Sequence, residues 1–252
     1  MKFIVLAFLV ASTTHLTCAQ VDIQGQERQA PDFSVQETPL KRKNAFFHAL
    51  KVPTVLIGMG VYSCLTNDVR YHIREERNEH LPSFRTTVDN YLMHAPVALV
   101  YGLNMVGVKG KHDFKNRTLL LVKSEAIMYA LTFSLKAASN VQRPDGTDYE
   151  SFASGHTAQA FATATFMAKE YGELSPWYAV GAYGMATTVG AMRILNNRHW
   201  VSDVLAGAGI GILSTNIAYL THRYRWKNKP SQLMMVPTYA MGPSLYMRYT
   251  FK

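Results

Sequence analysis

The sequence predicts an all-α protein built as a six-helix bundle, and three observations support this. The chain has 252 residues and is 48% hydrophobic, which is enough apolar surface for one packed domain. Apolar stretches of helical length recur along it, separated by charged loops. Small residues recur inside these stretches, as in the run from Ala206 to Gly211, and allow close helix contact. Because such residues lower helix propensity, packing must hold the helices.

The N-terminal segment has the layout of a secretory signal. Lys2 precedes an apolar run from Phe3 to Val10, and small side chains stand before Gln20. This pattern predicts a signal peptide at residues 1–19, cleaved after its last residue.

The two cysteines fall on either side of this cleavage site. Cleavage would remove Cys18 and leave Cys64, so we expect no internal disulfide in the mature chain. A lipidated Cys18 is the alternative. It is disfavoured because Thr17 is larger than the small residue that normally precedes such a site.

After the signal, the chain divides into a linker, a helical domain and a tail. Residues 20–44 are polar and show no sustained apolar period, which predicts a linker. The helical domain is predicted at 45–229, and the tail at 230–252 is either a β-hairpin or a non-helical segment packed on the bundle. The predicted helices are Val52–Thr66, Tyr91–Val108, Thr118–Ala138, His156–Ala168, Trp177–Leu195 and Val201–Thr221.

The charge of the chain limits its partners. A formal net charge of +9 favours anionic partners such as phosphate esters or acidic lipid surfaces. The sequence has no zinc-finger spacing and no basic helix with base-reading side chains, so we do not expect nucleic acid to be a partner.

The apolar stretches indicate membrane association, but charge and signal give different topologies. Several stretches approach the ~20 residues that a bilayer requires. Basic loops at 109–117 and 223–229 favour the cytoplasm, which would place the loop at 139–155 outside. A cleaved signal followed by three spans would place that loop inside.

Three arrangements would resolve this conflict. Either the first stretch does not span, or the signal is absent, or the bundle lies in or on the membrane from the exported side. We favour the first or the third, and expect the periplasmic face of an inner membrane, with integral or peripheral attachment.

Three clusters of polar residues stand at predicted helix ends. Each alone has an ordinary structural interpretation, as a solvated charge, a helix cap or a surface pair. Together they contain what phosphoryl transfer needs, namely cations for the phosphoryl oxygens, backbone donors, a nucleophile and an acid. The clusters are Lys136 with Arg143 and Pro144, then Ser154, Gly155 and His156, then Arg193, His199 and Asp203.

The second and third clusters also have favourable local geometry. Ser154 fits as the N-cap of a helix, which leaves the amides of Gly155 and His156 at a positive helix terminus that can bind phosphate oxygens. The spacing of His199 and Asp203 puts both on one helix face. The carboxylate can then accept from one imidazole nitrogen and leave the other free to attack phosphorus.

This ordered set of motifs resembles the type 2 phosphatidic acid phosphatase superfamily, which includes bacterial class A acid phosphatases and vanadium haloperoxidases. The resemblance covers residues 130–215 and implies the helical bundle of the acid phosphatase/vanadium haloperoxidase type, with neither metal nor cofactor. It implies that His199 forms a phosphohistidine, that Asp203 orients it, and that His156 protonates the leaving alkoxide and then activates water. The residues that it implies for phosphate binding are Lys136, Arg143, Ser154, Gly155 and Arg193.

Two positions depart from the family pattern. Ala153 stands where the second motif usually has proline, and Met192 stands where the third usually has serine. The first change could loosen the turn that presents Ser154, and the second could remove a hydrogen bond to phosphate. Neither position supplies the acid or the nucleophile, so we expect activity to persist.

The leading functional hypothesis is a phosphatase that acts on a membrane lipid such as lipid A, phosphatidate, phosphatidylglycerophosphate or undecaprenyl diphosphate. The alternatives are a soluble exported acid phosphatase of broad specificity, a haloperoxidase, and a non-catalytic membrane scaffold. The loops expected to recognise the head group, Asn67–Asn90 and Lys109–Arg117, carry no recognisable motif. The histidines in or near them are expected to be ordinary polar or packing residues; they are His72, His80, His94 and His112.

Overall fold

The computed structural model describes residues 39–66, 68–222, 233–238 and 244–249, and within these ranges the chain forms eight helices and two strands. The helices are α1 (Pro39–Thr66), α2 (Asp68–His80), α3 (Asp89–Leu92), α4 (Ala95–Met105), α5 (Phe114–Ser139), α6 (Gly155–Tyr171), α7 (Pro176–Leu195) and α8 (Val201–Leu220). The strands are β1 (Leu233–Thr238) and β2 (Ser244–Tyr249).

The predicted fold class is confirmed. Each of the six predicted helices is present, as α1 and as α4 to α8. In the tail, β1 and β2 pair antiparallel, with Leu233 opposite Tyr249 and Thr238 opposite Ser244. The strand pair is therefore the correct one of the two expected tail structures.

Two parts of the N-terminal half differ from the prediction. α1 begins at Pro39, inside the segment 20–44 that was predicted as a linker. The predicted signal at 1–19 and most of that linker lie outside the described residues. The predicted loop Asn67–Asn90 contains α2 and the first residues of α3.

Helix α2 was missed because it is too polar to show an apolar period. Its residues read DVRYHIREERNEH. Asp68 in the first turn and Arg77 in the last turn both interact favourably with the helix dipole. The helix is fixed by Arg77, which is buried and donates from Nε to the carbonyl of Leu195 at 2.9 Å. This bond caps the end of α7 and holds α2 against it.

Helix α8 is the centre of the bundle and packs against α1, α5 and α6. The contact between α6 and α8 requires glycine. A Cβ atom on Gly207 would lie 2.6 Å from the carbonyl oxygen of Ser154, and one on Gly211 would overlap the carbonyl oxygen of Ala158. The two backbones therefore meet directly, which brings the start of α6 beside the start of α8.

The core has two parts. One surrounds Phe166 and Tyr171 on α6, with side chains from α4, α5 and α7. The other lies under the start of α6 and is built from small side chains with Met128, Phe152 and Ile210. Its alanines allow the close packing of α6 and α8; they are Ala153, Ala158, Ala162 and Ala206.

Helix termini collect at two ends of the bundle. α5 and α7 end, and α6 and α8 begin, at what we call the site end, where Ser154 N–H donates to Asp203 O at 3.0 Å. At the opposite end, the loop between α4 and α5 meets the end of α6 through Lys111 N–H, which donates to Glu170 O at 2.9 Å. α1 packs antiparallel to α8 and also ends at the site end, since Gly60 lies beside Ala206.

Three helical segments of the described chain are long and apolar enough to cross a membrane, and they are Phe46–Thr66, Phe114–Ser139 and Val201–Leu220. The last is mostly buried within the bundle, whereas the other two expose most of their surface. Val55 on α1 is 60% exposed and Phe133 on α5 is 74% exposed. Exposed apolar surface of this extent is typical of a protein associated with a membrane.

The α6–α8 contact predicts that Gly→Ala on α8 destabilises the protein, whereas Gly→Ala at an open position does not. Gly211→Ala is expected to destabilise the protein by about 1–3 kcal/mol, because the added Cβ overlaps the Ala158 backbone. Gly181→Ala on α7 is the matched control, since a Cβ there meets nothing within 4 Å. The control is expected to be neutral or to stabilise by up to about 1 kcal/mol. Thermal unfolding in detergent measures both, and a Gly211→Ala variant as stable as the control would contradict this packing.

Candidate active site

The predicted site residues come together at the site end, around a cavity of about 1100 Å³. Most of them line it, whereas Ser154 and Asp203 are completely buried. The lining residues are Lys136, Arg143, Gly155, His156, Arg193 and His199, with Arg85, Thr86, Thr87, Asp89, Asn90, Asp145, Thr147, Asn196 and Arg198. A cavity of this size has room for a head group as well as a phosphate group.

His199 stands just before α8 and is held by the first turn of that helix. Its side chain is 3% exposed, and Nδ1 lies 3.4 Å from Oδ2 of Asp203. A carboxylate can only accept, so this contact assigns the proton to Nδ1 and leaves the lone pair on Nε2. The predicted pairing is therefore present, at the long end of the range for a hydrogen bond.

The carboxylate of Asp203 is fixed by several other donors. Oδ2 accepts from the backbone N–H of Trp200 at 2.9 Å and from the hydroxyl of Ser151, and Oδ1 accepts from the hydroxyl of Ser202 at 3.2 Å. Asp203 is the N3 residue of α8, where its charge is also favourable for the helix dipole. The group that orients His199 is therefore itself immobilised.

Burial determines the ionisation of His199. It lowers the pKa of His199 below the usual range for histidine, although the hydrogen bond and the charge of Asp203 oppose the effect. The positive charges of Arg193 and Lys136 lower this pKa further. The imidazole is therefore neutral near pH 7, which is the form with a lone pair for nucleophilic attack.

His156 lies in the first turn of α6 and faces α3. Its Nε2 is 2.8 Å from Oδ1 of Asn90, which can only accept, so Nε2 keeps its proton and Nδ1 is the nitrogen that gains or loses one. Burial, and then the positive charge of Arg193, lower the pKa of His156 to about 4. A phosphate dianion in the cavity would offset the positive charge and raise this pKa, so the histidine gains a proton as the site fills.

Positive charge dominates the cavity wall. The cations that line it are Lys136, Arg143, Arg193, Arg198 and Arg85, and the carboxylates are Asp89 and Asp145. Arg143 Nε donates to Asp148 at 2.7 Å, and Lys136 Nζ donates to the carbonyl of Glu150. Both cations are thus positioned from the loop between α5 and α6. The excess of cations is what a phosphoryl group with several anionic oxygens requires.

Arg193 is held by a residue that the sequence did not indicate. Its Nη1 donates to Oδ2 of Asp89 at 2.8 Å, and both side chains are buried. Within residues 46–66 and 68–222, Arg193 Nε and Asp89 Oδ1 have no hydrogen-bond partner. A buried donor without a partner beside the cavity is available to a ligand oxygen.

The two roles predicted for the start of α6, helix capping and phosphate binding, fall to different residues. Ser154 caps the helix, and Gly155 lines the cavity. The N-cap is as predicted, because Ser154 Oγ accepts from Thr157 N–H at 3.4 Å and from its hydroxyl at 2.9 Å. Since Ser154 is 0% exposed, the geometry does not support the predicted contact between its hydroxyl and phosphate. Gly155 lines the cavity at the positive end of the helix.

The loop before α3 forms a wall that the sequence did not reveal. Thr86 N–H donates to Oδ1 of Asn196 at 2.8 Å, and Nδ2 of Asn196 donates back to Thr86 O at 2.9 Å. This reciprocal pair places Asp89 and Asn90 over the cavity. Arg198 could have been identified from the sequence, because it is a cation next to a motif residue. No local pattern in the sequence indicates that Thr86, Asp89, Asn90 or Asn196 belongs to the site.

The two departures from the family pattern do not disturb the wall. Ala153 is completely buried in the core beneath the site, and the turn that it belongs to is held by the bond from Ser154 N–H to Asp203 O. Met192 is half-buried and does not line the cavity. None of the four histidines expected to be ordinary lines the cavity, and His112 instead pairs with the buried Glu170 at 2.7 Å.

Comparison with known proteins identifies a family model and a relative to which this sequence is similar. A family model described as the PAP2 superfamily matches residues 117–227. The chain is 39% identical over 181 residues to the lipid A 1-phosphatase of Porphyromonas gingivalis, an alignment that covers 70% of this chain. The same alignment covers 38% of the length of that relative.

Two solved structures are also similar. The crystal structure of Aquifex aeolicus LpxE shares 23% identity and covers 57% of this chain and 93% of its own, with a TM-score of 0.41. The PAP2-type phosphatidylglycerolphosphate phosphatase of Bacillus subtilis shares 20% identity and covers 73% of this chain and 99% of its own, with a TM-score of 0.45.

The surroundings of His156 predict how it titrates. In the free protein, NMR of labelled histidine is expected to show this ring neutral down to about pH 4, because burial and Arg193 disfavour the charged form. Arg193→Gln is expected to raise the pKa, and so is saturation with vanadate. The exposed His80 serves as the internal control, since it lies outside the cavity. A pKa that none of these changes moves would contradict the electrostatics described here.

Proposed function

We propose that this protein, whose residues 117–227 match the family model of the PAP2 superfamily, is a metal-independent phosphatase that hydrolyses phosphate monoesters or diphosphates through a phosphohistidine. The observation that carries the proposal is the convergence of an oriented neutral histidine, a second histidine and several cations on one cavity. Residues from three distant segments supply these groups. Such a set has the components of phosphoryl transfer without a metal ion.

The first step begins with the phosphoryl oxygens bound by Lys136, Arg143 and Arg193 and by the amide groups at the start of α6. Nε2 of His199 forms a bond to phosphorus while the bond from phosphorus to the leaving oxygen breaks. The leaving alkoxide takes a proton from the protonated His156. Asp203 stabilises the positive charge that develops on His199, as the orienting carboxylate does in hydrolytic triads.

The second step reverses the direction of proton transfer. Neutral His156 accepts a proton from water, whose oxygen bonds to phosphorus as the bond to His199 Nε2 breaks. Phosphate is released, and both histidines return to their starting state. The low pKa of His156 in the empty site suits this cycle, because the histidine gains its proton only when an anionic phosphate is present.

The substrate is proposed to be a membrane lipid phosphate. Two helices with exposed apolar faces would place the cavity near a bilayer surface, and the cavity is larger than a phosphate group requires. The relative from P. gingivalis is a lipid A 1-phosphatase, which favours a phosphorylated glycolipid within this class. Phosphatidate, phosphatidylglycerophosphate and undecaprenyl diphosphate are the other lipids in the class. The exposed apolar faces weigh against a soluble acid phosphatase.

We place the site end on the exported, periplasmic face of an inner membrane. The basic loop between α4 and α5 stands at the opposite end, and positive loops favour the cytoplasm. α1 begins at that opposite end and packs along α8, so with this orientation it starts on the cytoplasmic side. Of the three arrangements that the sequence left open, this is the one in which the signal is absent, because a segment that acted as an export signal would leave the start of α1 on the exported side whether or not it is cleaved.

Substitution of the nucleophile tests the chemistry. His199→Ala is expected to lower kcat by at least about a thousandfold on every lipid phosphate, because no other group can form the covalent intermediate. His80→Ala, at an exposed histidine outside the cavity, is the control and is expected to retain full activity. Activity is measured as phosphate release in detergent, with chelator present.

Two outcomes of that assay would contradict the proposal. Full activity of His199→Ala would exclude the phosphohistidine mechanism. Failure of the wild-type protein to hydrolyse any of the tested esters or to bind vanadate would favour the non-catalytic scaffold instead.

Thiol labelling tests the orientation. In a variant without Cys64 and Cys18, an impermeant maleimide applied to intact cells is expected to label Thr147→Cys at the site end and not Lys115→Cys at the opposite end. Both positions are exposed, so accessibility within the protein does not favour either. Labelling of Lys115→Cys alone would reverse the orientation.

A further inference from the structure

A second cavity, of about 570 Å³, lies beside the candidate active site, and Arg143 and Asp145 line both. Its other walls come from the end of α1, from α2, from the loop between α5 and α6, and from the turn before α8. The two cavities are thus neighbours at the same end of the bundle.

Two arginines of α2 give this cavity its character. Arg70 and Arg74 lie one helical turn apart, and their guanidinium carbons are 5.0 Å and 5.5 Å from the centre of the Trp200 ring. Like charges at this spacing repel each other. The faces of Trp200 and Tyr71 offset part of that repulsion, since Arg70 also lies 5.2 Å from the Tyr71 ring.

The charge of these arginines is not neutralised by the described protein. Within residues 46–66 and 68–222, no carboxylate lies within ion-pair distance of Arg70 or Arg74, and the buried Nε of each has no hydrogen-bond partner. The carboxylate that lines this cavity, Asp145, pairs with Arg198 at 2.9 Å. Buried donors without a partner on two adjacent cations point to an anionic ligand.

The platform under these arginines is rigid and joined to the nucleophile. Trp200 follows His199 directly in the chain and is 6% exposed. Two hydrogen bonds fix its position. Its Nε1 donates to Gln142 O at 2.7 Å, and its backbone N–H donates to Asp203. A group bound by Arg70 and Arg74 would therefore have a fixed position relative to His199.

We propose that this second cavity binds a second phosphate group of the same substrate, so that the enzyme selects lipids with two phosphate groups. The inference rests on the proposed function and extends it. One phosphate occupies the cavity at His199 and reacts, while Arg70 and Arg74 hold the other. The planar fork of arginine matches phosphate geometry, which suits the pair to this ligand.

The double variant R70Q/R74Q tests this selection in hydrolysis. Its kcat/KM for a glycolipid with two phosphates is expected to fall at least about tenfold, because two charge-assisted contacts are lost. For the same glycolipid with one phosphate, and for a small soluble phosphate ester, kcat/KM is expected to be unchanged. The loop Lys109–Arg117, which the sequence suggested for head-group recognition, lies at the opposite end of the bundle and lines neither cavity. The control K109Q/K115Q therefore removes equal charge from exposed positions far from both cavities and is expected to leave all three substrates unaffected.

A binding measurement separates this inference from the proposed function. In the His199→Ala background, R70Q/R74Q is expected to weaken binding of the two-phosphate glycolipid and not of its one-phosphate form. If the wild-type protein hydrolyses no ester but this difference appears, the proposed function fails and the second site stands. The variant R70K/R74K, which keeps both charges, is expected to lose less affinity than R70Q/R74Q, and thermal unfolding checks that each variant is folded.

Three results would overturn the second site. The first is an equal loss for both glycolipids, and the second is an equal loss in the control K109Q/K115Q. The third combines two observations: the wild-type protein shows no preference for the two-phosphate form, and it binds inorganic phosphate in a way that R70Q/R74Q abolishes. The cavity would then hold free phosphate and not the substrate.

Discussion

The buried carboxylate of Asp203 is the interaction on which the rest of the site depends. It has no exposed surface and accepts from His199, Trp200 and Ser151, which belong to two segments of the chain. Its own carbonyl accepts from Ser154 N–H. A buried charge is stable only when donors surround it, so the turn before α8 and the loop before α6 are both fixed by satisfying one group. The same requirement orients the imidazole that faces the cavity.

Close contact between α6 and α8 makes that arrangement possible. Glycines on α8 let its backbone reach the backbone of α6, so the starts of both helices lie side by side. His156 enters the cavity from one start, and His199 lies just before the other. Small residues bury little apolar area each, and the larger side chains of the other core, around Phe166 and Tyr171, add to the hydrophobic stabilisation of the bundle. Packing and chemistry are thus set by the same interface.

The far wall of the cavity comes from the polar segment between α1 and α4. Arg77 caps the end of α7, and Asn196 exchanges two hydrogen bonds with Thr86, so α2 and α3 are fastened to the turn that carries the nucleophile. Asp89 and Asn90 consequently reach Arg193 and His156. Beyond this wall, the aromatic and arginine surface around Trp200 extends the positive region past the reacting centre.

The sequence by itself determined the helical bundle and six of the residues that line the cavity, and it left the strand pair of the tail as one of two possibilities. These follow from local information, since apolar periods define helices and the motif residues stand at their ends. Tertiary structure alone decided that α2 is a helix, that Ser154 is buried, and that Asp89 and Asn90 complete the site. Asp89 and Arg193 are separated by 104 positions, and α2 is too polar to show an apolar period. Such contacts arise when buried charges and helix ends find partners across the fold, which no local pattern encodes.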